Sequence, residues 1–166
     1  MTEQTAAKPL TARDPRLAPW RAFVRAQARV SRRLDEDLRV EHGMSLQEYV
    51  ALLILAEAPD RQLRMGRLAD SLTLSKSGAT RLIDRLVSDG LVSRRSCASD
   101  ARGAEAALTK RGLDRLRTAA PTHLRGIHEY FLSAIEGEDL DVIERTMTGV
   151  AACASGHGER AGTERD

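Results

Sequence analysis

Between Ser75 and Gly90 the chain carries its most restrictive pattern. Ala79, Leu82, Ile83, Leu86 and Val87 fall at i, i+3, i+4, i+7 and i+8, the spacing that puts apolar side chains on one face of an α-helix. The opposite face holds Ser77, Thr80, Arg81, Asp84, Arg85 and Ser88. Ser75 is placed to cap the start, and Gly90 to take the left-handed conformation that closes a helix over Lys76–Asp89. A helix this short is marginal alone in water, so its apolar face must pack on neighbouring elements. What those neighbours are decides the fold.

Upstream, helical spacing begins at Pro19. Trp20, Phe23, Val24, Val30, Leu34 and Leu38 recur every three or four residues, with Arg21, Arg25, Arg29, Arg32 and Arg33 between them. Gly43 ends that helix and Ser45 is placed to cap the next, Leu46–Ala58, which is apolar nearly all round and so predicted to be buried on most sides. Pro59-Asp60 breaks it. Leu63, Met65, Leu68, Ala69 and Leu72 predict a short helix immediately before the Ser75 unit. After Gly90, Leu91–Ser96 and Ala104–Thr109 predict two strands around a polar turn, the return strand being alanine-rich and weak in β propensity. Thr109 caps a long helix carrying Leu113, Leu116, Ala120, Leu124, Ile127 and Phe131, in which Pro121 predicts a bend. A last helix is expected at about Asp139–Ala152. The expected organisation is one domain over residues 15–152, with a disordered tail over 1–14 and a flexible one over 153–166.

The composition excludes several classes. With 166 residues, 42% apolar and 30% charged, the chain is globular and sized for one domain. Aromatic residues are 3%, so the core must be aliphatic. No apolar run approaches ~18 residues, which predicts no membrane helix, and Met1–Asp14 has no apolar core of a signal peptide. Cys97 and Cys153 form no framework, so a reduced, cytoplasmic setting is expected. No nucleophile elbow, HExxH helix or phosphate-cradling glycine loop is present, so neither an enzyme nor a cofactor is expected. His42, His123, His128 and His157 are scattered, and His123 with His128 is i, i+5, so no metal site is expected either.

Formal net charge is only +2, but its distribution is uneven. Residues 61–111 carry 11 basic and 5 acidic side chains, +6; the remainder carries 15 and 19, −4. A basic central module in an acidic helical frame is an electrostatic footprint for nucleic acid. Basic charge is 23 Arg against 3 Lys, and Arg is suited to bidentate phosphate and guanine contacts.

Two short helices, the second with a basic polar face, followed at once by a hairpin, form a winged helix-turn-helix. The predicted fold class is therefore mostly α with a small β-wing, residues 61–111 forming the winged unit and 15–58 with 112–152 an α-helical dimerisation frame. The second helix is narrow enough for the major groove, where Ser77, Thr80 and Arg81 meet base edges, with Arg85 one turn further along. Ser75 and Lys76 stand at its start, and Arg94 and Arg95 on the first strand. Arg102 at the hairpin tip is suited to the minor groove, with Asp100 placed to orient its guanidinium. The long apolar seams of the terminal helices exceed what one small winged unit covers, which predicts a homodimer.

These residues resemble a known family. The run from Leu74 to Leu86, followed by Asp89-Gly90-Leu91-Val92 and Arg94-Arg95, resembles the recognition helix of MarR-type regulators. Asp100-Ala101-Arg102-Gly103 is similar to the family's Asp-x-Arg wing motif, and Leu108-Thr109-Lys110-Arg111-Gly112 to its Leu-Thr-x-x-Gly helix start. The resemblance covers about residues 17–152. It implies an obligate homodimer on a palindromic double-stranded operator, acting as a repressor released by a small aromatic or lipophilic ligand. The elements it implies around that ligand carry Trp20, His42, Tyr49 and His123. Activation in place of repression, a redox or metal signal, and a protein-interaction module without DNA are the alternatives. Cys97, beside Arg94 and Arg95, reads as an incidental wing residue before it reads as a sensor.

Overall fold

A computed structural model describes residues 10–97 and 100–156, and for 96, 97, 100–103, 155 and 156 the backbone only. In chain order the elements are α1 (Ala18–His42), α2 (Leu46–Glu57), β1 (Gln62–Arg64), α3 (Met65–Ser71), α4 (Lys76–Ser88), β2 (Val92–Cys97), β3 (Asp100–Leu108), α5 (Lys110–Tyr130) and α6 (Gly137–Gly156). Single 3-10 turns occupy Pro15–Leu17, Pro59–Arg61 and Leu132–Ala134. The mostly α class with a small β-wing is borne out.

The punctuation read from sequence operates as expected. Gly43 caps α1 with φ +58°, and Ser45 opens α2 with a reciprocal capping box. There Glu48 N donates to Ser45 Oγ at 3.2 Å, while Ser45 N donates to Glu48 Oε2 at 2.8 Å. Asp35 ties the two helices together, accepting from Leu46 N at 2.8 Å and from Arg39 Nε at 2.6 Å.

The ends of α3 and α4 close with the same hydrogen-bond pattern on different residues. After α4, Leu91 N donates to Leu86 O at 2.8 Å and Gly90 N to Val87 O at 2.9 Å, with Gly90 at φ +70°. After α3, Leu74 N donates to Ala69 O at 3.0 Å and Thr73 N to Asp70 O at 3.1 Å, with Thr73 at φ +53°. A β-branched residue in the left-handed region is strained, so the turn between α3 and α4 is held by the packing of the helices it joins.

The sheet order is β1-β3-β2, antiparallel throughout. Val92 faces Leu108 and Arg95 faces Glu105 on one side of β3; Leu63 faces Ala106 on the other. The strand β1 departs from expectation, since residues 62–64 were read as leading into a helix from Leu63. Three residues are too few for a period, and only pairing with β3 makes them a strand. The same pairing overrides the weak propensity of the alanine-rich strand: Ala106 and Ala107 are buried, their small side chains letting the core approach the sheet. β3 also begins four residues before the expected Ala104.

The core gathers Leu38 of α1, Leu52 and Leu55 of α2, Leu68 of α3, and Leu82, Ile83 and Leu86 of α4. α2 is buried on several sides, at Tyr49, Ala51, Leu52 and Leu55. α5 is anchored beneath the wing. Thr109 Oγ1 accepts from Gly112 N at 3.0 Å and lies 2.8 Å from Gly90 O. A Cβ at Gly112 would stand 2.1 Å from Leu91 O, so only glycine lets α5 start this close to the wing's root. α5 runs unbroken through Pro121.

The chain divides after Ile127 into two units. The second holds the end of α5 and α6. α6 extends beyond the expected Ala152 to Gly156, so residues 153–156, read as tail, are helical. Leu140, Val142, Met147 and Val150 are exposed along it. At the other end, residues 11–14, also read as tail, form a turn in which Asp14 N donates to Thr11 O and the Asp14 carboxylate caps the 3-10 turn. His157 lies outside the described residues.

Candidate nucleic-acid interface

α4 presents two unlike faces. Ala79, Leu82, Ile83 and Leu86 are essentially without solvent contact, whereas Ser75, Lys76, Ser77, Thr80, Arg81 and Arg85 are all exposed. The buried face pins the helix, so the exposed face is held at a fixed orientation. Ser75 Oγ accepts from Gly78 N at 3.1 Å and lies 3.2 Å from Ser77 Oγ. Thr80 Oγ1 donates to Lys76 O at 2.9 Å, which commits its proton to the backbone and leaves its lone pairs as acceptors.

The arginines of this surface divide into two kinds. Arg81 and Arg95 are exposed and make no ion pair among the described residues. Arg85 Nε lies 3.8 Å from Glu48 Oε1, and an Arg94 guanidinium nitrogen lies 2.7 Å from Asp84 Oδ1. Exposed pairs of this sort hold a side chain weakly, so Arg85 and Arg94 are only loosely engaged by these neighbours. Asp84 was read on the polar face of α4 without a partner, and Glu48 did not enter the sequence reading of the surface. Glu48 had a signal, as the last residue of the Ser45-x-x-Glu48 capping box, whereas the approach of α2 to α4 had none. The wing carries Asp100 and Arg102 in the backbone of β3, and Cys97 in β2, where it faces Asp100 across an irregular register. The side chains of all three lie outside the described residues.

Of the four residues read as lining a ligand site, the structure joins two. Tyr49 is buried and makes an edge-on ring contact with His123, centroids 4.3 Å apart. His123 Nδ1 is shielded from solvent and has no hydrogen-bond partner among the described residues. Burial holds the His123 imidazole below its usual pKa, and burial, then Glu57, pushes the Tyr49 phenol up. His42 bonds instead to Thr122, the residue before His123. Its Nε2 lies 2.8 Å from Thr122 Oγ1, which donates to Glu41 Oε2 at 2.7 Å, and Arg125 completes the chain on Glu41. That clasp, between residues some 80 apart, carries no sequence signal. Trp20 is 59% exposed and packs only on Phe23 among aromatic rings, centroids 6.1 Å apart.

The MarR family model matches residues 42–103, from the end of α1 into the first residues of β3. The crystal structure of AbsC, a MarR family transcriptional regulator from Streptomyces coelicolor, aligns with TM-score 0.80 at 30% identity, covering 90% of this chain and 99% of that one. The chain belongs to the MarR family of transcriptional regulators. A second such regulator from Streptomyces coelicolor, Sco3205, solved in complex with DNA, aligns with TM-score 0.79 at 32% identity, covering 89% of this chain and 91% of that one. The HTH-type transcriptional repressor YetL of Bacillus subtilis is 35% identical over 85 residues, 51% of each chain. This MarR-family chain thus spans about half the length of that curated relative. The winged helix-turn-helix reading is the family's fold; the Leu74–Leu86 and Asp100–Gly103 motifs stand in the matched region, and Leu108–Gly112 lies beyond it.

Proposed function

We propose that this regulator is a homodimer that binds a palindromic double-stranded operator and represses transcription until a small aromatic or lipophilic ligand releases it. The observation that carries the reading is α4: one face buried in the core, the other exposed with Ser77, Thr80 and an Arg81 that makes no ion pair among the described residues. A rigid helix with that surface fits the major groove. Ser77, Thr80 and Arg81 contact base edges. Ser75, Lys76, Arg85, Arg94 and Arg95 contact phosphates, and Arg102, oriented by Asp100, enters the minor groove. The DNA complex of Sco3205 and the repressor name of YetL support the class of partner and the direction of control. The exposed Trp20, Phe23 and Val24 of α1 support the dimer. The Tyr49–His123 contact, with its unpartnered Nδ1, supports an aromatic hydrogen-bonding ligand among α2 and α5. No helix among the described residues is long and apolar enough to cross a membrane, and we assign the protein to the cytoplasm with no catalytic role.

The test is operator binding. Selection of bound duplexes from random DNA supplies the operator, and a gel-shift titration measures Arg81→Ala and Arg102→Ala. Each should lose about 10- to 100-fold in affinity while gel filtration still shows the dimer. Unchanged affinity in both variants would sink the contact assignment. The log–log salt slope should be about −0.9 per phosphate contact.

A further inference from the structure

A cavity of about 450 Å³ opens in the first unit, between the last turn of α4, the start of α5 and the turn joining α1 to α2. Its size falls within the range of small-molecule sites. It is separate from Tyr49 and His123, neither of which lines it. Its apolar lining is Met44, Leu86 and Leu91, all three largely buried. Its lining also includes five charged residues in two states of engagement. Glu48 accepts from Ser45 N and faces Arg85, and Arg115 donates to His42 O. Asp89, Asp114 and Arg111 are exposed and make no ion pair among the described residues. The Arg111 side chain lies over Gly90, next to Asp89.

We propose that this cavity binds a small aliphatic α-amino acid. The ligand ammonium is held by Asp89 and Asp114, its carboxylate by Arg111, and its hydrocarbon side chain by the Met44, Leu86 and Leu91 wall. An ion of a single sign satisfies only one of the two unengaged charge types, and a small inorganic ion makes no use of the apolar wall. A zwitterion with a hydrocarbon side chain uses all three. Its seat touches Leu86 of the recognition helix and Asp89 at that helix's end, and adjoins the Glu48 that faces Arg85, so occupancy bears on α4; that coupling rests on the DNA-binding reading above.

Isothermal titration of the full-length protein with L-leucine, in the absence of DNA, tests the site. 3-Methylbutylamine, which lacks the carboxylate, and 4-methylpentanoate, which lacks the ammonium, serve as comparison ligands. Leucine should give saturable heat with one site per chain, and each analogue should bind about tenfold or more weakly. Asp114→Asn and Arg111→Gln, shown to be folded by their circular dichroism melts, should each weaken leucine by a similar factor. Absence of saturable leucine heat, equal binding of leucine and 3-methylbutylamine, or undiminished leucine affinity in both variants overturns the proposal. The readout contains no operator, so its failure leaves the DNA-binding reading standing, and a failure of operator binding leaves the leucine titration to be judged alone.

Discussion

Two amphipathic helices of this regulator look alike in sequence and end differently in the fold. α4 and the first half of α1 each carry an apolar stripe at helical spacing and an arginine-bearing opposite face. The stripe of α4 is enclosed by its own chain at Ala79, Leu82, Ile83 and Leu86, each at 1% exposure or less, with Val87 partly buried. That of α1 is covered only from Leu34 onward, and Trp20, Phe23 and Val24 stand 59%, 42% and 41% exposed. The difference teaches that the α4 stripe is covered within one chain while the start of the α1 stripe is not, which is what the proposed DNA-reading helix and dimer frame require. A rigid DNA-reading element needs the first condition. A subunit that associates through its frame needs the second.

Substitutions can break this contrast, starting with the enclosed stripe. Ile83→Ala should cost about 2–5 kcal/mol of unfolding free energy, read by urea denaturation, because the cavity it leaves is surrounded by packed aliphatic side chains. On the open stripe, Trp20→Ala combined with Phe23→Ala should change subunit stability little but weaken self-association by roughly tenfold or more, read by analytical ultracentrifugation. A large stability loss with unchanged association would reverse the roles assigned to the two helices. A smaller, favourable effect is expected where α3 meets α4. Thr73→Asn should stabilise by about 0.5–1 kcal/mol, because asparagine tolerates the left-handed backbone that threonine resists. The same substitution at a position of ordinary φ would not.

The smallest effect concerns His123 of α5, a partly buried titratable group of a kind that the packed face of α4 lacks. Burial lowers its folded-state pKa below the ordinary imidazole value of 6.5, so the unfolded chain binds more protons in the window just beneath that value. Its neutral form is compatible with full stability above pH 6.5, and stability should fall as pH drops through that value towards the folded-state pKa. Comparing urea midpoints at neutral and mildly acidic pH for the wild type and His123→Leu reads this directly. The variant should show the shallower pH dependence.

Much of the fold was legible because it is written in local periodicity and punctuation. The 3.6-residue stripes, the Ser45 and Ser75 caps and the left-handed Gly43 and Gly90 act over a few residues, and each sits where its chemistry predicts. The basic face of α4 was legible for the same reason, as the complement of its apolar stripe. Residues 62–64 were misread because a three-residue strand has no period and exists only through its pairing with β3. The extra turn of α6 and the turn at residues 11–14 were read as tail because glycine, alanine and threonine carry no apolar signal. Within the site, the partners of Arg85 and Arg94 were hidden, since Glu48 and Asp84 come from elements whose mutual approach is set by the core.

By itself, then, the sequence determined which side of each helix is apolar, where the helices stop, and that the positive charge concentrates on residues 61–111. Tertiary structure alone decided that α4's stripe is enclosed while α1's is open, that Gly112 must be glycine because Leu91 O lies against it, and that Tyr49 meets His123 across 74 positions of chain. Helix and turn preferences are summed over neighbours in the chain, whereas enclosure depends on which distant surfaces the core brings within van der Waals reach.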